Sequence, residues 1–190
     1  MIENIFPTKL YFNIAKEKQL SNIQLEISNI IKDVQVDYND EWGKTHKISS
    51  LSKSVIDHYN LKNLKSFLDE NLKEYLKEIS YDGNTKYKME SWISLFNNND
   101  YGHIHDHGTA DISGVYYYKT NEKDGDIVFY NPVIQVDMST CFKKESWRHQ
   151  PRIGKMLLFP GFLKHGIFRN ETNDKRISFS FNIFFNKWQQ

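Results

Sequence analysis

The sequence contains a single cysteine, Cys141, among its 190 residues. A lone cysteine excludes a disulfide framework within the chain and leaves a cysteine-based metal site without partner ligands. It also favours a reducing compartment, so we expect a cytoplasmic protein. A packed thiol is the expected role of Cys141, and a catalytic nucleophile is the less favoured alternative.

The sequence also has no large net charge and no long apolar run. The 25 basic and 24 acidic residues leave a formal charge of +1, which creates no long-range attraction to nucleic acid or to a membrane. No segment approaches the roughly 20 apolar residues of a membrane span. The opening stretch, MIENIFPTKLYFNI, carries an early acid and does not resemble a signal peptide. We therefore expect no membrane partner, and nothing in the sequence indicates a nucleic-acid partner.

No internal repeat, linker or low-complexity tract divides the chain, so one domain over residues 1–190 is expected. Residues 1–84 are predicted to be a mainly helical support region. Apolar residues recur at helical spacing over 16–32 and 61–79. Asn60 is the expected N-cap of the second helix. The polar stretch 33–54 between the two helices is predicted to be a loop.

The character of the sequence changes after residue 85, where short aromatic and β-branched segments alternate with turn residues. This pattern predicts an antiparallel sandwich or barrel, with the helices covering one sheet. The fold class is thus α+β with a mainly β core at residues 85–190. The predicted strands are 87–96, 111–119, 126–130, 132–137, 154–159, 165–169 and 175–185.

Three of the seven histidines lie at a spacing of two in GHIHDHGTADISGVYYY, residues 102–118. Side chains at i and i+2 of an extended segment point the same way. His105 and His107 can therefore converge on one metal ion, as can His103 and His105, whereas all three would require a bend. Neutral imidazole suits Fe, Zn, Cu and Ni. The alternative is a polar loop whose histidines only contact water.

A metal site needs at least one further ligand, and His165 is the best candidate. It follows an apolar strand and a Pro-Gly turn in LLFPGFLKHGIFRN and begins another predicted strand. His149 and His46 are alternatives, but both lie in polar surroundings and are expected to be exposed. His58 is expected at a helix entrance.

The last predicted strand, in NDKRISFSFNIFF, alternates polar and apolar residues. Arg176, Ser178, Ser180 and Asn182 would share one face, which could line a cavity. A buried arginine needs an anionic partner, and guanidinium clamps a carboxylate with two hydrogen bonds that a neighbouring serine can supplement. The alternative is an edge strand with its polar face in water.

Three stretches together resemble short oxygenases of bacteria and bacteriophages, many of them marine, within the 2-oxoglutarate/Fe(II)-dependent oxygenase superfamily. They are IFPTKLY at residues 5–11, ESWISLFNNNDYGHIHDHGTADISGVYYY at 90–118, and GKMLLFPGFLKHGIFRNETNDKRISFSFN at 154–182. The resemblance implies a double-stranded β-helix, a cupin-like jelly roll, with helices outside one sheet. It also implies the cofactors Fe(II) and 2-oxoglutarate, and O2 as a reactant.

The resemblance assigns roles to particular residues. It places His105 and His107 at the paired iron-ligand positions and His165 at the distal one, with His103 as a nearby supporting group or substrate contact. Arg176, helped by Ser178, would pair with the C5 carboxylate of 2-oxoglutarate. Tyr117 would donate a hydrogen bond from its hydroxyl to the same carboxylate.

One departure concerns the middle ligand, which in the superfamily is usually Asp or Glu in a His-x-Asp/Glu…His motif. Here His107 occupies that position. Loss of the carboxylate leaves one more positive charge at the metal, which favours a dianionic cosubstrate. Asp106 and Asp111 remain nearby alternatives as ligands.

The implied reaction couples oxidative decarboxylation of 2-oxoglutarate to C–H oxidation. Prolyl or other peptidyl hydroxylation is expected, and a small-molecule or nucleotide substrate is the alternative. Two other functions stay open. A cupin-like zinc hydrolase or lyase could use three histidines without needing Arg176, and a non-catalytic jelly-roll binding module would need neither. The segment 137–152, with Trp147, Arg148 and Arg152, is either a substrate lid or an ordinary surface loop.

Overall fold

Two antiparallel sheets and three helices account for the regular structure of the described chain. The computed structural model describes residues 7–40, 43–49, 54–133, 141 and 145–185. The helices are α1 (Glu17–Ile30), α2 (Val55–His58) and α3 (Lys62–Glu78). The strands are β1 (Tyr11–Ile14), β2 (Val36–Tyr38), β3 (Lys47–Ser49), β4 (Tyr87–Phe96), β5 (Gly102–His105), β6 (Ile112–Lys119), β7 (Ile127–Tyr130), β8 (Ser146–His149), β9 (Lys155–Pro160), β10 (His165–Ile167) and β11 (Arg176–Phe185).

The strand order is that of a jelly roll. The larger sheet runs β1-β9-β6-β11-β4-β3-β2 and the smaller one β5-β10-β7-β8. Strands that follow one another in sequence, such as β4, β5, β6 and β7, alternate between the two sheets. The double-stranded β-helix and the mainly β fold class are therefore confirmed.

The helices cover the outer face of the larger sheet, as expected. Ile23 and Ile27 of α1 and Leu64 of α3 are fully buried in one apolar cluster with Phe179 and Phe181 of β11. Burial of each such side chain contributes roughly 1.5 to 3 kcal/mol. Among the described helices, none is long and apolar enough to cross a membrane.

A second, smaller apolar core fills the space between the two sheets. It contains Val115, Leu157 and Phe159 from the larger sheet, and Ile127 and Phe129 from the smaller one. The polar face of β11 points to this side. Since β11 pairs with both β4 and β6, the edge-strand interpretation of its alternation is wrong.

Several predictions from local sequence are corrected by the pairing of short strands. The predicted loop 33–54 contains β2 and β3, which extend the larger sheet beyond β4. The segment 137–152 contains β8. The strand at 132–137 has no strand in its described part, residues 132–133, and its remainder lies outside the described residues. Strands of three or four residues are too short for a reliable alternation pattern and form because a longer neighbour offers free hydrogen-bonding groups.

Two predictions near the helices are also corrected. Leu61, not Asn60, precedes α3, and Asn60 adopts a left-handed conformation with φ +52° in the turn after α2. Asparagine tolerates this conformation better than most residues. His58 is the last residue of α2 and is exposed, so it does not begin a helix.

His46, which was expected to be exposed, is buried. It lies just before β3, where its Nδ1 is 3.0 Å from the Thr45 hydroxyl and its ring stacks on Phe96 at 4.4 Å. Burial, and then the positive charge of Arg176, lower its pKa from 6.5 to about 4. The neutral ring is thus the native form at pH 7.

This burial makes the stability of the metal-free protein depend on pH. Unfolded His46 binds a proton near pH 6.5 and the folded ring near pH 4, so stability decreases as pH falls through this window. The decrease in the free energy of unfolding that is due to this residue reaches about 3 kcal/mol. Denaturant titrations at pH 7.5 and 4.5 of wild type and His46→Phe, which keeps the stacked ring, measure it. We expect a steeper loss for wild type, and equal losses would contradict the assignment.

Candidate functional site

Strand register brings three of the predicted histidines together. His165, the first residue of β10, lies directly opposite His105, the last residue of β5. His107 follows two residues later, and its backbone N–H donates to the Gly161 carbonyl at 2.9 Å. One ligand nitrogen from each of the three rings lies within 4.8 Å of the others. Among the described residues, this is the only such cluster of histidines, cysteines or carboxylates.

Backbone carbonyls orient two of these rings. The Nδ1 of His105 is 2.8 Å from the His103 carbonyl, and that of His165 is 2.9 Å from the Leu163 carbonyl. Because a carbonyl can only accept, Nδ1 carries the proton and Nε2 keeps its lone pair, which is the usual way a protein prepares an imidazole ligand. The Nε2 atoms of His165 and His107 are 3.3 Å apart, close enough to share one cation.

The electrostatics of the cluster keep the rings neutral. Burial lowers the pKa of His107 to about 4 and that of His165 to about 3, with a further contribution from the charge of His105. The pKa of His105 is also lowered by burial. Neutral imidazole is the form that binds a metal, so the donor set fits a divalent transition metal at pH 7.

The carboxylates considered as alternative ligands are engaged elsewhere. Asp106 is exposed and accepts a hydrogen bond from the Gly108 backbone at 3.0 Å. Asp111 accepts from the Phe185 backbone at 2.9 Å. His103 is half-buried beside His105, with ring centroids 5.5 Å apart, and is not part of the cluster. The three-imidazole set is thus the one that the structure assembles.

Arg176 occupies a second polar position between the sheets. It is fully buried, and its guanidinium lies 5.0 Å from the ring of Phe96 and 4.9 Å from that of Tyr117. These rings come from β4 and β6, the strands on either side of β11. One nitrogen, Nη1, donates to the Gly125 carbonyl at 2.7 Å. The rings and the carbonyl together hold the plane of the guanidinium.

The other donors at this position have no partner. Arg176 Nε and Nη2, the Tyr117 hydroxyl and the Ser178 hydroxyl are buried without a hydrogen bond. Ser178 pairs with Tyr117 across the β11–β6 ladder. Among the described acidic residues, none forms an ion pair with Arg176. An unpaired buried charge costs several kcal/mol, so this pocket fits an anion with at least two oxygen acceptors.

The hydroxyl of Tyr117 can serve this pocket only as a neutral donor. Burial raises the pKa of Tyr117, and the nearby charge of Arg176 offsets this effect only in part. Nε and Nη2 lie on one edge of the guanidinium, which is the geometry that binds a carboxylate through two parallel hydrogen bonds.

The remaining residues of the polar face of β11 lie outside this anion pocket. Ser180 is half-buried, 3.5 Å from the Ser94 hydroxyl. Asn182 accepts a hydrogen bond from Ser113 at 2.8 Å. His149 is half-buried against Phe12 and is not part of the histidine cluster.

Sequence reasoning missed three residues that shape the pocket. Gly125 contributes only its carbonyl, for which a turn sequence gives no signal. The sequence around Phe96 indicates an ordinary core residue, and His46, stacked on its ring, lies just before a strand too short to predict. No motif in the sequence distinguishes them from structural positions.

The sequence profile of a family described as "Putative 2OG-Fe(II) oxygenase" matches residues 90–182. The matched segment, just under half of the chain, contains the histidine cluster and the anion pocket. A comparison with curated protein sequences found no match.

Solved structures share the fold over nearly the whole chain. A prolyl-4-hydroxylase from Pseudomonas putida has 10% sequence identity and a TM-score of 0.62, covering 94% of this chain and 94% of its own. A prolyl hydroxylase from Trichoplax adhaerens, in complex with a peptide fragment of hypoxia inducible factor, has 11% identity and a TM-score of 0.66, covering 92% and 83%.

A third similar structure is HygX from Streptomyces hygroscopicus, solved with nickel, 2-oxoglutarate and hygromycin B bound. It has 12% identity and a TM-score of 0.64, covering 96% of this chain and 86% of its own. At such identities the likeness concerns the fold, while the profile match concerns the segment that carries the site. The segment that carries the histidine cluster and the anion pocket is thus similar to the 2OG-Fe(II) oxygenase family, and the chain as a whole shares the fold of these solved enzymes.

Proposed function

We propose that this chain is an Fe(II)- and 2-oxoglutarate-dependent hydroxylase whose cosubstrate is anchored by Arg176. The observation that carries the proposal is a fully buried guanidinium with two nitrogens that lack partners. The C5 carboxylate of 2-oxoglutarate would accept from Nε and Nη2. The hydroxyls of Tyr117 and Ser178 would supply the remaining hydrogen bonds.

Iron would be held by His105, His107 and His165. Three neutral imidazoles leave both positive charges of Fe(II) uncompensated by the protein. A dianionic cosubstrate is then attracted more strongly than at a site with a carboxylate ligand. When bound, Fe(II) and 2-oxoglutarate supply the O2-dependent chemistry, in which the cosubstrate is oxidatively decarboxylated to succinate and a substrate C–H bond is oxidised.

The protein contributes orientation and a dry cavity. The carbonyls of His103 and Leu163 hold two of the imidazoles with Nε2 directed to the cluster. Phe159 packs edge-on against His165 at 4.8 Å, and Phe129 packs on Phe159. These rings place apolar surface beside His165, and a lower local dielectric strengthens the electrostatic interactions there.

A zinc hydrolase is the second candidate, because three histidines suit zinc as well as iron. It gives no reason for a buried arginine and two buried hydroxyls without partners. The oxygenase is therefore favoured by the anion pocket and not by the histidines.

Each of the finer assignments has its own supporting observation. We infer that the acceptor is a prolyl or other peptidyl group, and the support is the fold shared with two prolyl hydroxylases.

The motif SGVYYY after the histidine pair supports a place among the short oxygenases of bacteria and bacteriophages. The presence of only one cysteine in the sequence supports a reducing, cytoplasmic location. The two buried cores, which share the larger sheet, support a single domain.

The direct test is an anaerobic titration with Fe(II) and then 2-oxoglutarate, read as the visible charge-transfer band of a chelated 2-oxo acid. Wild type should show the band. Arg176→Ala should weaken 2-oxoglutarate binding by at least about 100-fold, since a charge-assisted pair is lost, while Fe(II) binding survives. Arg169→Ala is the matched control, because Arg169 also lies over a ring and donates to a carbonyl but is exposed.

Two results would contradict the proposal. An unchanged affinity for 2-oxoglutarate in Arg176→Ala would remove the anion pocket from the cosubstrate site. Fe(II) binding by wild type without any band on addition of 2-oxoglutarate would move the zinc hydrolase to first place.

A second test concerns Gly125, whose carbonyl holds Nη1 of Arg176. Its φ is +100°, and a Cβ there would run into the carbonyl oxygen of Phe168. Gly125→Ala should therefore displace the carbonyl and weaken 2-oxoglutarate binding by about tenfold, with Fe(II) affinity unchanged. Gly43→Ala is the control, since Gly43 also has a positive φ of +62° but its Cβ would make only an ordinary contact, 3.9 Å from the Thr45 side chain. Equal effects of the two variants on 2-oxoglutarate affinity would show that Gly125 has no positioning role.

A further inference from the structure

A groove of about 650 Å³ opens between β1 and β8. These strands are terminal in the two sheets of the described chain, so the apolar core between the sheets reaches the surface there. β1 is fixed in place from behind, because Tyr11 and Asn13 both donate to the Asn71 side chain of α3. The wall of the groove that β1 forms is therefore held in place by the fold.

The described lining of the groove is largely apolar, and its polar members, such as Thr8, Asn131 and Ser146, carry no charge. Phe12 and Trp147 are large side chains left 56% and 53% exposed, and Leu10 and Val133 lie beside them. Among the described residues that line it, none is Asp, Glu, Lys or Arg, although 26% of the chain is charged. The pKa of His149, the one titratable imidazole in the lining, is lowered by burial and by Lys155, so this ring is neutral at pH 7.

The floor of the groove is continuous with the histidine cluster. Phe129 lies opposite His165 in the β7–β10 ladder, with ring centroids 5.9 Å apart. Leu163, also in the floor, offers the carbonyl that holds the His165 ring. The groove thus begins one side chain away from the candidate metal centre.

The chemistry of the lining limits what can occupy it. A charged group would lose its hydration without finding a partner charge, whereas an apolar group would leave water for an aromatic surface. The volume lies within the range of roughly 300 to 1,000 Å³ that ligand pockets show. An uncharged, apolar group fits the lack of charged residues in the described lining, its aromatic surface and its volume.

We propose that this groove binds the acceptor substrate of the oxygenase through an uncharged apolar group that lies against Phe12 and Trp147. The reaction at that substrate rests on the function proposed above, while the chemistry of the ligand rests on the groove alone. A prolyl ring is one group of this kind, and a substrate that presents a charge at this position is disfavoured.

Two dyes with the same aromatic scaffold test the ligand class. N-phenyl-1-naphthylamine is neutral, and 8-anilinonaphthalene-1-sulfonate adds one negative charge. Fluorescence titration of the full chain should show one site for the neutral dye and binding of the anionic dye weaker by about tenfold or more. Trp147→Ser and Phe12→Ser should each weaken the neutral dye about fivefold or more. Phe162→Ser is the control, because Phe162 is 60% exposed but lies outside the groove.

Equal affinity for the two dyes, or neutral-dye binding that is unchanged in Trp147→Ser and Phe12→Ser, would overturn the proposal. The link to the reaction is tested separately, by adding the neutral dye to the anaerobic complex with Fe(II) and 2-oxoglutarate. A shift of the visible band in wild type but not in Trp147→Ser supports the groove as the substrate site, and no shift overturns that role. Absence of any band before the dye is added would instead be a failure of the proposed function.

Discussion

A buried guanidinium that forms no ion pair within the described part of the chain is the constraint around which the interior of the sandwich is organised. Arg176 is fully buried on the central strand of the larger sheet. Two aromatic rings and one backbone carbonyl hold it, but none of them carries a negative charge. A fold does not retain such a group for stability, because replacing it with an apolar side chain would remove a desolvation cost. An anionic ligand of the kind proposed above would complete the arrangement.

The histidine cluster also fits a ligand, but this ligand is a cation. Three imidazoles that are neutral at pH 7 bring no charge of their own to a metal ion. The metal and the guanidinium would then be two positive charges in one protein interior. A dicarboxylate with a chelating end and a free end would satisfy both, and each site would increase the affinity of the other for its ligand.

Some of this organisation could be predicted from sequence because it depends on spacing and alternation. The two-residue spacing places His105 and His107 on one side, and the alternation over β11 places Arg176 and Ser178 on one face. The long strands β4, β6 and β11 were predicted nearly to the residue for the same reason. Resemblance to the superfamily added the fold and the cosubstrate, which the residues alone did not imply.

Other parts could not be predicted because they depend on contacts between distant segments. The β10–β5 register that sets His165 opposite His105 forms only in the folded sandwich. The carbonyl of Gly125 and the ring of Phe96 become parts of the anion pocket only through β11 and its neighbours. His46 is buried because a three-residue strand joins the edge of the larger sheet, and its polar sequence surroundings indicate the opposite.

The most direct test is to grow crystals of the protein anaerobically with Mn(II) and 2-oxoglutarate and to determine their structure. The account requires the metal to be bound by His105, His107 and His165 with no side-chain carboxylate of the protein in its coordination sphere. It also requires the C5 carboxylate to accept hydrogen bonds from Arg176 Nε and Nη2. A metal bound by Asp106, or a cosubstrate carboxylate that leaves Arg176 unpaired, would contradict it.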